Sequence, residues 1–185
     1  MPNRSDTPRS LHRWTLRRWV ERDRSLAQLL HRATARPSVL LLLTGVSRLG
    51  DGVVWYATFL LLPWLGGASG VACMLRMLLL GAVNLVIYRI TKRHFARPRP
   101  FVACPGVRAC ARCLDEHSFP SGHTMHAVAF ATLLSAYYPG LAWIVWPFAA
   151  LVAASRVVLG LHFPSDVVVG AALGGVTARS VLSLF

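Results

Sequence analysis

The chain has 185 residues, 55% of them hydrophobic and 15% charged, and 20 Lys and Arg against seven Asp and Glu leave a net charge of +13. A mean hydropathy of +0.50, with apolar blocks of about 17 to 25 residues, excludes an ordinary soluble protein and fits one membrane-embedded domain. The charge requires an anionic partner; no basic stripe follows a soluble helix or sheet face, so lipid headgroups or a phosphorylated substrate fit and nucleic acid does not.

Residues 1–37 are rich in arginine and include Trp14 and Trp19. No short apolar core precedes a small-residue cleavage site, so a secretory signal fits poorly. Two readings fit: an interfacial amphipathic helix with cations on headgroups, or a disordered basic tail. Residues 38–185 form the membrane domain. Val39 to Leu43 are apolar, but Arg48 and Asp51 interrupt the run at a depth where charges are expensive. The first span is therefore expected at 52–65, a short stretch with room to borrow residues before Gly50, and Arg48 and Asp51 are expected to form a structural pair. A glycine-rich turn at 66–70 precedes a second span, 71–90, with Arg76 snorkelling near its start.

The basic loop 91–117 is too long to be a mere connector. Its cysteines, Cys104, Cys110 and Cys113, could form a disulfide on an oxidising face, whereas three cysteines without a well-spaced fourth ligand make a zinc site a poor reading. Cys73 reads as a small core residue. A third span is expected from Pro120 to Tyr138, a fourth from there to Leu159 with Gly160 as the helix stop, and a fifth from Pro164 to the C-terminus. Gly170 and Gly174 in the fifth have the spacing that lets helices approach closely. The expected fold is all-α: a polytopic transmembrane helical bundle of about five spans plus an N-terminal interfacial helix.

This topology gathers three polar stretches at one face of the membrane. Pro120-Ser121-Gly122-His123 opens a helix, where unpaired N–H groups and the helix dipole attract an anion. Lys92 and Arg99, seven residues apart, would share one side if their helix ran that far. Ser155 and Arg156 close the fourth span, and His162 and Asp166 follow across a turn, with Asp166 placed to reach back to His162. Three cations, two imidazoles and one carboxylate around a helix start describe a phosphoryl-transfer site. A histidine held by a carboxylate can act as nucleophile, and a second can protonate the leaving oxygen. No acidic cluster is available to hold magnesium or calcium, so metal-independent chemistry without a cofactor is expected.

The pattern Lys92-(six residues)-Arg99-Pro100, Pro120-Ser121-Gly122-His123 and Ser155-Arg156-(five residues)-His162-(three residues)-Asp166 resembles the three signature motifs of the type-2 phosphatidic acid phosphatase superfamily, which joins lipid phosphate phosphatases with vanadium haloperoxidases. The match runs from about Gly50 to Gly175. The resemblance implies that His162 attacks phosphorus and forms a phosphohistidine, that Asp166 orients it, and that His123 protonates the leaving lipid oxygen and then activates water. Lys92, Arg99 and Arg156 would clamp the phosphate, helped by Ser121, Gly122 and Ser155. His126 is expected to be satisfied by a neighbour, and His94 and His117 to be solvated. Arg93, Arg97, Arg108 and Arg112 read either as a solvated basic face or as attractors of an anionic lipid.

The leading expectation is hydrolysis of a membrane lipid phosphate or diphosphate. A polyprenyl diphosphate comes first, phosphatidate or phosphatidylglycerophosphate next. A vanadate-dependent haloperoxidase-like enzyme is the second enzyme class, disfavoured by the apolar spans, and a non-catalytic lipid-binding membrane protein the third class. Five spans put the basic tail on the face that carries the site, which the positive-inside rule assigns to the cytoplasm. The resemblance favours the outer face of a bacterial inner membrane. A sixth span using 39–48 would reconcile the two, but about ten residues is too short to cross.

Overall fold

The computed structural model describes residues 8–113 and 115–184, with side chains from residue 18 onward. Among these the fold is all helical. Trp14 of the expected interfacial belt lies outside the described side chains.

The N-terminal region adopts the helical alternative, α1, Pro8–His31. It is strapped onto the bundle: Ala27 is buried, and His31 Nδ1–H donates to the Val158 carbonyl at 2.9 Å while its Nε2 accepts the Arg108 N–H at 3.3 Å. Trp19, Leu29 and Leu30 point away from the bundle. A 3-10 turn, Arg32–Ala35, leads into α2, Pro37–Arg48, with Pro37 in the first turn, where the missing N–H loses no helical bond.

The first apolar segment begins well before residue 52. From α2 the chain passes through a five-residue π turn, Leu49–Val53, kinked at Gly52, directly into α3, Val54–Phe95. Residues 39–48 are the head of this run, so they contribute no separate sixth segment. The polar residues that interrupt the sequence do not end the run, because Ser47 and Asp51 find partners on other elements. Arg156 donates to Ser47 at 2.5 Å, and Asp51 meets His123, while Arg48 stays exposed and does not pair with Asp51.

The glycine turn appears as expected. Gly67, at φ 54 and ψ −136, splits α3 into arms 54–66 and 68–95. The arms fold back on each other: a Cβ on Gly70 would fall 1.8 Å from the Leu62 carbonyl oxygen. Trp55 and Phe59 of the first arm and Gly81 of the second all reach Phe130. The second arm ends at Phe95 on Ala96, which is left-handed at φ 41, and α4 is a single turn, Pro100–Ala103.

The third segment, α5, Gly122–Tyr137, starts after Pro120 rather than on it, with Ser121 as its cap and a cis peptide between Phe119 and Pro120. It is the central element: Met125, Ala127, Ala129, Ala131 and Leu133 are fully buried. Small residues on α7, Pro164–Leu184, bring it to backbone contact with the start of α5, because Cβ atoms on Gly170 and Gly174 would lie 2.6 Å from the Ser121 oxygen and 2.2 Å from the Met125 oxygen. Between them α6, Ala142–Val158, terminates at Gly160 with φ 76, the conformation a glycine stop provides.

By length and composition three helical runs among the described residues can cross a membrane: Pro37–Ala103, Pro139–Val158 and Pro164–Leu184. Trp64, Trp143, Ile144 and Val176 lie exposed on their outsides, as lipid-facing side chains should. Polar residues are packed inside at one end, and the protein is an integral membrane protein.

Candidate active site

Lys92 and Arg99 do not share a continuous helix, since α3 stops at Phe95. They meet because a loop carboxylate stands between them. Asp115 accepts from Lys92 Nζ at 2.6 Å and from Arg99 Nη2 at 2.7 Å, and the Tyr88 hydroxyl also donates to it. Arg99 Nε reaches the Asp115 carbonyl at 3.0 Å and Nη1 the Leu161 carbonyl at 2.8 Å. Burial pushes the Asp115 carboxyl up, but the bonds from Lys92, Tyr88 and Arg99 outweigh it and hold the group down at about 2. Lys92 and Arg99 are only 6% and 2% exposed, so each is a buried cation whose charge requires an anion.

His162 sits in the turn between α6 and α7 and is 1% exposed. Its Nδ1 lies 3.7 Å from Asp166 Oδ2, beyond hydrogen-bond length, and has no other partner among the described residues; its Nε2 is 3.5 Å from Arg99 Nη1. Burial holds the imidazole well below its usual range, at about 4; Asp166 pulls the other way, and Arg156 and Arg99 add to the lowering. The ring is therefore neutral at pH 7, with a lone pair available. Arg156, 1% exposed, uses Nη1 on Ser47, and its Nε has no partner among the described residues.

Asp166 is fixed by two other bonds. Oδ2 accepts the Phe163 N–H at 2.8 Å and Oδ1 accepts from Arg97 at 2.6 Å. Arg97 is thus no solvated surface charge. It also pairs with Asp23 of α1 at 2.7 Å, and its guanidinium lies 4.0 Å over the Phe163 ring. Asp23 in turn holds the Ser165 N–H at 3.0 Å, so α1 is tied to the first turn of α7.

Lys92, Arg99, Gly122, His123, Arg156 and His162 line one cavity of about 490 Å³, with Asp166 behind His162. Ser121 and Ser155 lie outside that lining: Ser121 pairs with Thr124 at 3.0 Å, and Ser155 donates to the Val152 carbonyl of its own helix at 2.6 Å. His126 is satisfied by the Gly122 carbonyl at 2.9 Å. His94 lies exposed in the last turn of α3, and His117 is half-buried. All four cysteines are free thiols, Cys73 and Cys104 buried.

Sequence reasoning missed Asp51, Tyr88, Asp115, Arg97 and Asp23. One signal was available. The chain has only seven acidic residues, and four of them, Asp23, Asp51, Asp115 and Asp166, are in this network.

A family model described as the PAP2 superfamily matches residues 70–185. A decaprenylphosphoryl-5-phosphoribose phosphatase of Mycobacterium tuberculosis is 33% identical over 153 residues, 80% of this chain and 82% of that protein. The undecaprenyl-diphosphatase BcrC of Bacillus subtilis is 33% identical over 141 residues, 75% of this chain and 69% of that protein. Among solved structures, LpxE of Aquifex aeolicus superposes with a TM-score of 0.77 at 28% identity, over 86% of this chain and 93% of that one.

Proposed function

This chain belongs to the PAP2 superfamily and is a lipid phosphate phosphatase, and on that premise we propose that it hydrolyses a polyprenyl diphosphate or a related polyprenyl-linked phosphate through a phosphohistidine on His162. The observation that carries the reading is one cavity with two ends. The cations and imidazoles close one end, and Trp55, Phe59, Met77, Leu78, Leu85 and Phe130 form an apolar groove at the other. A phosphorylated lipid has the same polarity along its length. The two curated relatives above both carry a polyprenyl carrier in their names, which supports the choice of lipid.

In this reading the phosphate takes the place now filled by the Asp115 carboxylate, held by Lys92, Arg99 and Arg156. His162 keeps Nδ1–H toward Asp166 and attacks phosphorus with Nε2. As the P–N bond forms, the bond to the lipid-side oxygen breaks and His123 gives that oxygen a proton. Water then attacks the phosphohistidine and loses a proton to His123. The P–N bond breaks and phosphate leaves. Three cationic side chains meet the charge that a divalent ion meets in many phosphoryl-transfer enzymes, so no metal is required.

The test is phosphate release by purified protein from a polyprenyl diphosphate, phosphatidate and phosphatidylglycerophosphate, with EDTA throughout. Turnover is expected with the polyprenyl substrate fastest. Release from none of the three overturns the function, and abolition by EDTA overturns the metal-free mechanism.

Because Asp115 competes for the phosphate seat, Asp115→Asn should bind inorganic phosphate more tightly, lowering its inhibition constant about tenfold (about 1.4 kcal/mol). An unchanged or weaker constant would mean that the carboxylate organises the cations instead of occupying their site. The same reading, supported by the family resemblance, puts the site on the outer face of a bacterial inner membrane, with α1 beside it. In intact cells a membrane-impermeant maleimide should then label a cysteine placed at exposed Arg22, in a background without the four native thiols.

A further inference from the structure

Asp51 is a carboxylate inside an apolar helical run, and Arg48, three residues earlier, is exposed and does not pair with it. Its partner comes from another element: Asp51 Oδ1 lies 2.5 Å from His123 Nε2 across 72 residues of sequence. The backbone is shaped to deliver this contact. The π turn Leu49–Val53 breaks the helical register, and Gly52 adopts φ 144, a region side chains rarely enter. A Cβ there would also fall 2.7 Å from the Tyr56 ring. Both Asp51 and His123 line the cavity that holds the cations and His162.

We infer that Asp51 is a positioning residue for the acid–base step, acting through His123. The inference rests on the phosphatase reading above. An ionised carboxylate only accepts hydrogen bonds, so the ring must present Nε2–H to it. Nδ1 is then the nitrogen that exchanges the catalytic proton, as Nδ1–H when the lipid oxygen departs and as a lone pair when water attacks. The carboxylate also stabilises the imidazolium present before the first step and regenerated in the second. It does for His123 what Asp166 does for His162, from a different helix.

A merely structural carboxylate and a positioning one differ in what their removal does to different leaving groups. A nitrophenolate departs without a proton, whereas an alkoxide requires one. Asp51→Asn keeps the side-chain shape and removes the charge. In the first turnover it should slow alcohol release from a short-chain alkyl phosphate about a hundredfold, the scale of general-acid catalysis. In the same first turnover, nitrophenol release from p-nitrophenyl phosphate should stay within a few-fold of wild type, since that leaving group takes no proton from His123. In a His123→Ala background, Asp51→Asn should add no further loss on the alkyl substrate. Equal losses on both substrates, or an additive loss on top of His123→Ala, would overturn the assignment. Wild-type turnover of the same two substrates tests the phosphatase reading separately.

Discussion

His162→Ala should abolish phosphate release, with kcat falling by about 10⁴-fold or more, the scale seen when a covalent nucleophile is removed. The fold should survive the change. Asp166, which faces the ring, is held by Arg97 and by the Phe163 N–H and not by the imidazole, so removing the ring leaves no buried carboxylate unpartnered. Binding of phosphate should also persist, since Lys92, Arg99 and Arg156 are untouched. Quenching wild-type enzyme in detergent at alkaline pH, where the P–N bond of a phosphohistidine survives, should trap label from a phosphate-labelled substrate on the protein, and the variant should trap none. Retention of more than about a tenth of the activity would reassign the nucleophile.

Gly174→Ala should destabilise the protein by about 3 kcal/mol or more, toward the severe end for overpacking a core. The new Cβ would sit 2.2 Å from the Met125 oxygen, 3.0 Å from the Met125 carbonyl carbon and 3.2 Å from the Ala129 nitrogen, all backbone atoms that cannot rotate away. Relief requires α7 to move off α5. That separation also reaches the chemistry, because α5 begins beside His123 and α7 carries Asp166, so activity should fall with stability. Gly175→Ala is the internal control, since nothing lies within 4 Å of the position its Cβ would take. Thermal unfolding in detergent should show a large drop for the first substitution and little or none for the second. Equal melting temperatures would show that the two helices are not locked by this contact.

The structure also changes how the basic character of the chain is understood. Arg97 reads as one charge among many in an arginine-rich loop, yet it joins Asp23 of α1, Asp166 of α7 and the ring of Phe163. Arg48, beside a carboxylate in sequence, has no part in the site. Adjacency along the chain was a poor guide to pairing here: residues three apart share a face of a regular α-helix, but the π turn Leu49–Val53 breaks that register between Arg48 and Asp51.

The sequence by itself determined the helical class, several of the helix ends and the three polar stretches from which the site is proposed. Apolar run length, the glycine turn at 66–70, the stop at Gly160 and the start at Pro164 are local signals, and each holds in the folded chain. The lysine, arginines and histidines were legible because motif spacing is also local. Tertiary structure alone decided which of the few carboxylates serves which cation or imidazole. Asp51 finds His123 across 72 residues, Arg97 finds Asp23 across 74, and Asp115 enters the seat between Lys92 and Arg99. Those pairings depend on where whole helices come to rest against one another, through contacts such as Gly174 on Met125, and no periodicity within a segment encodes that.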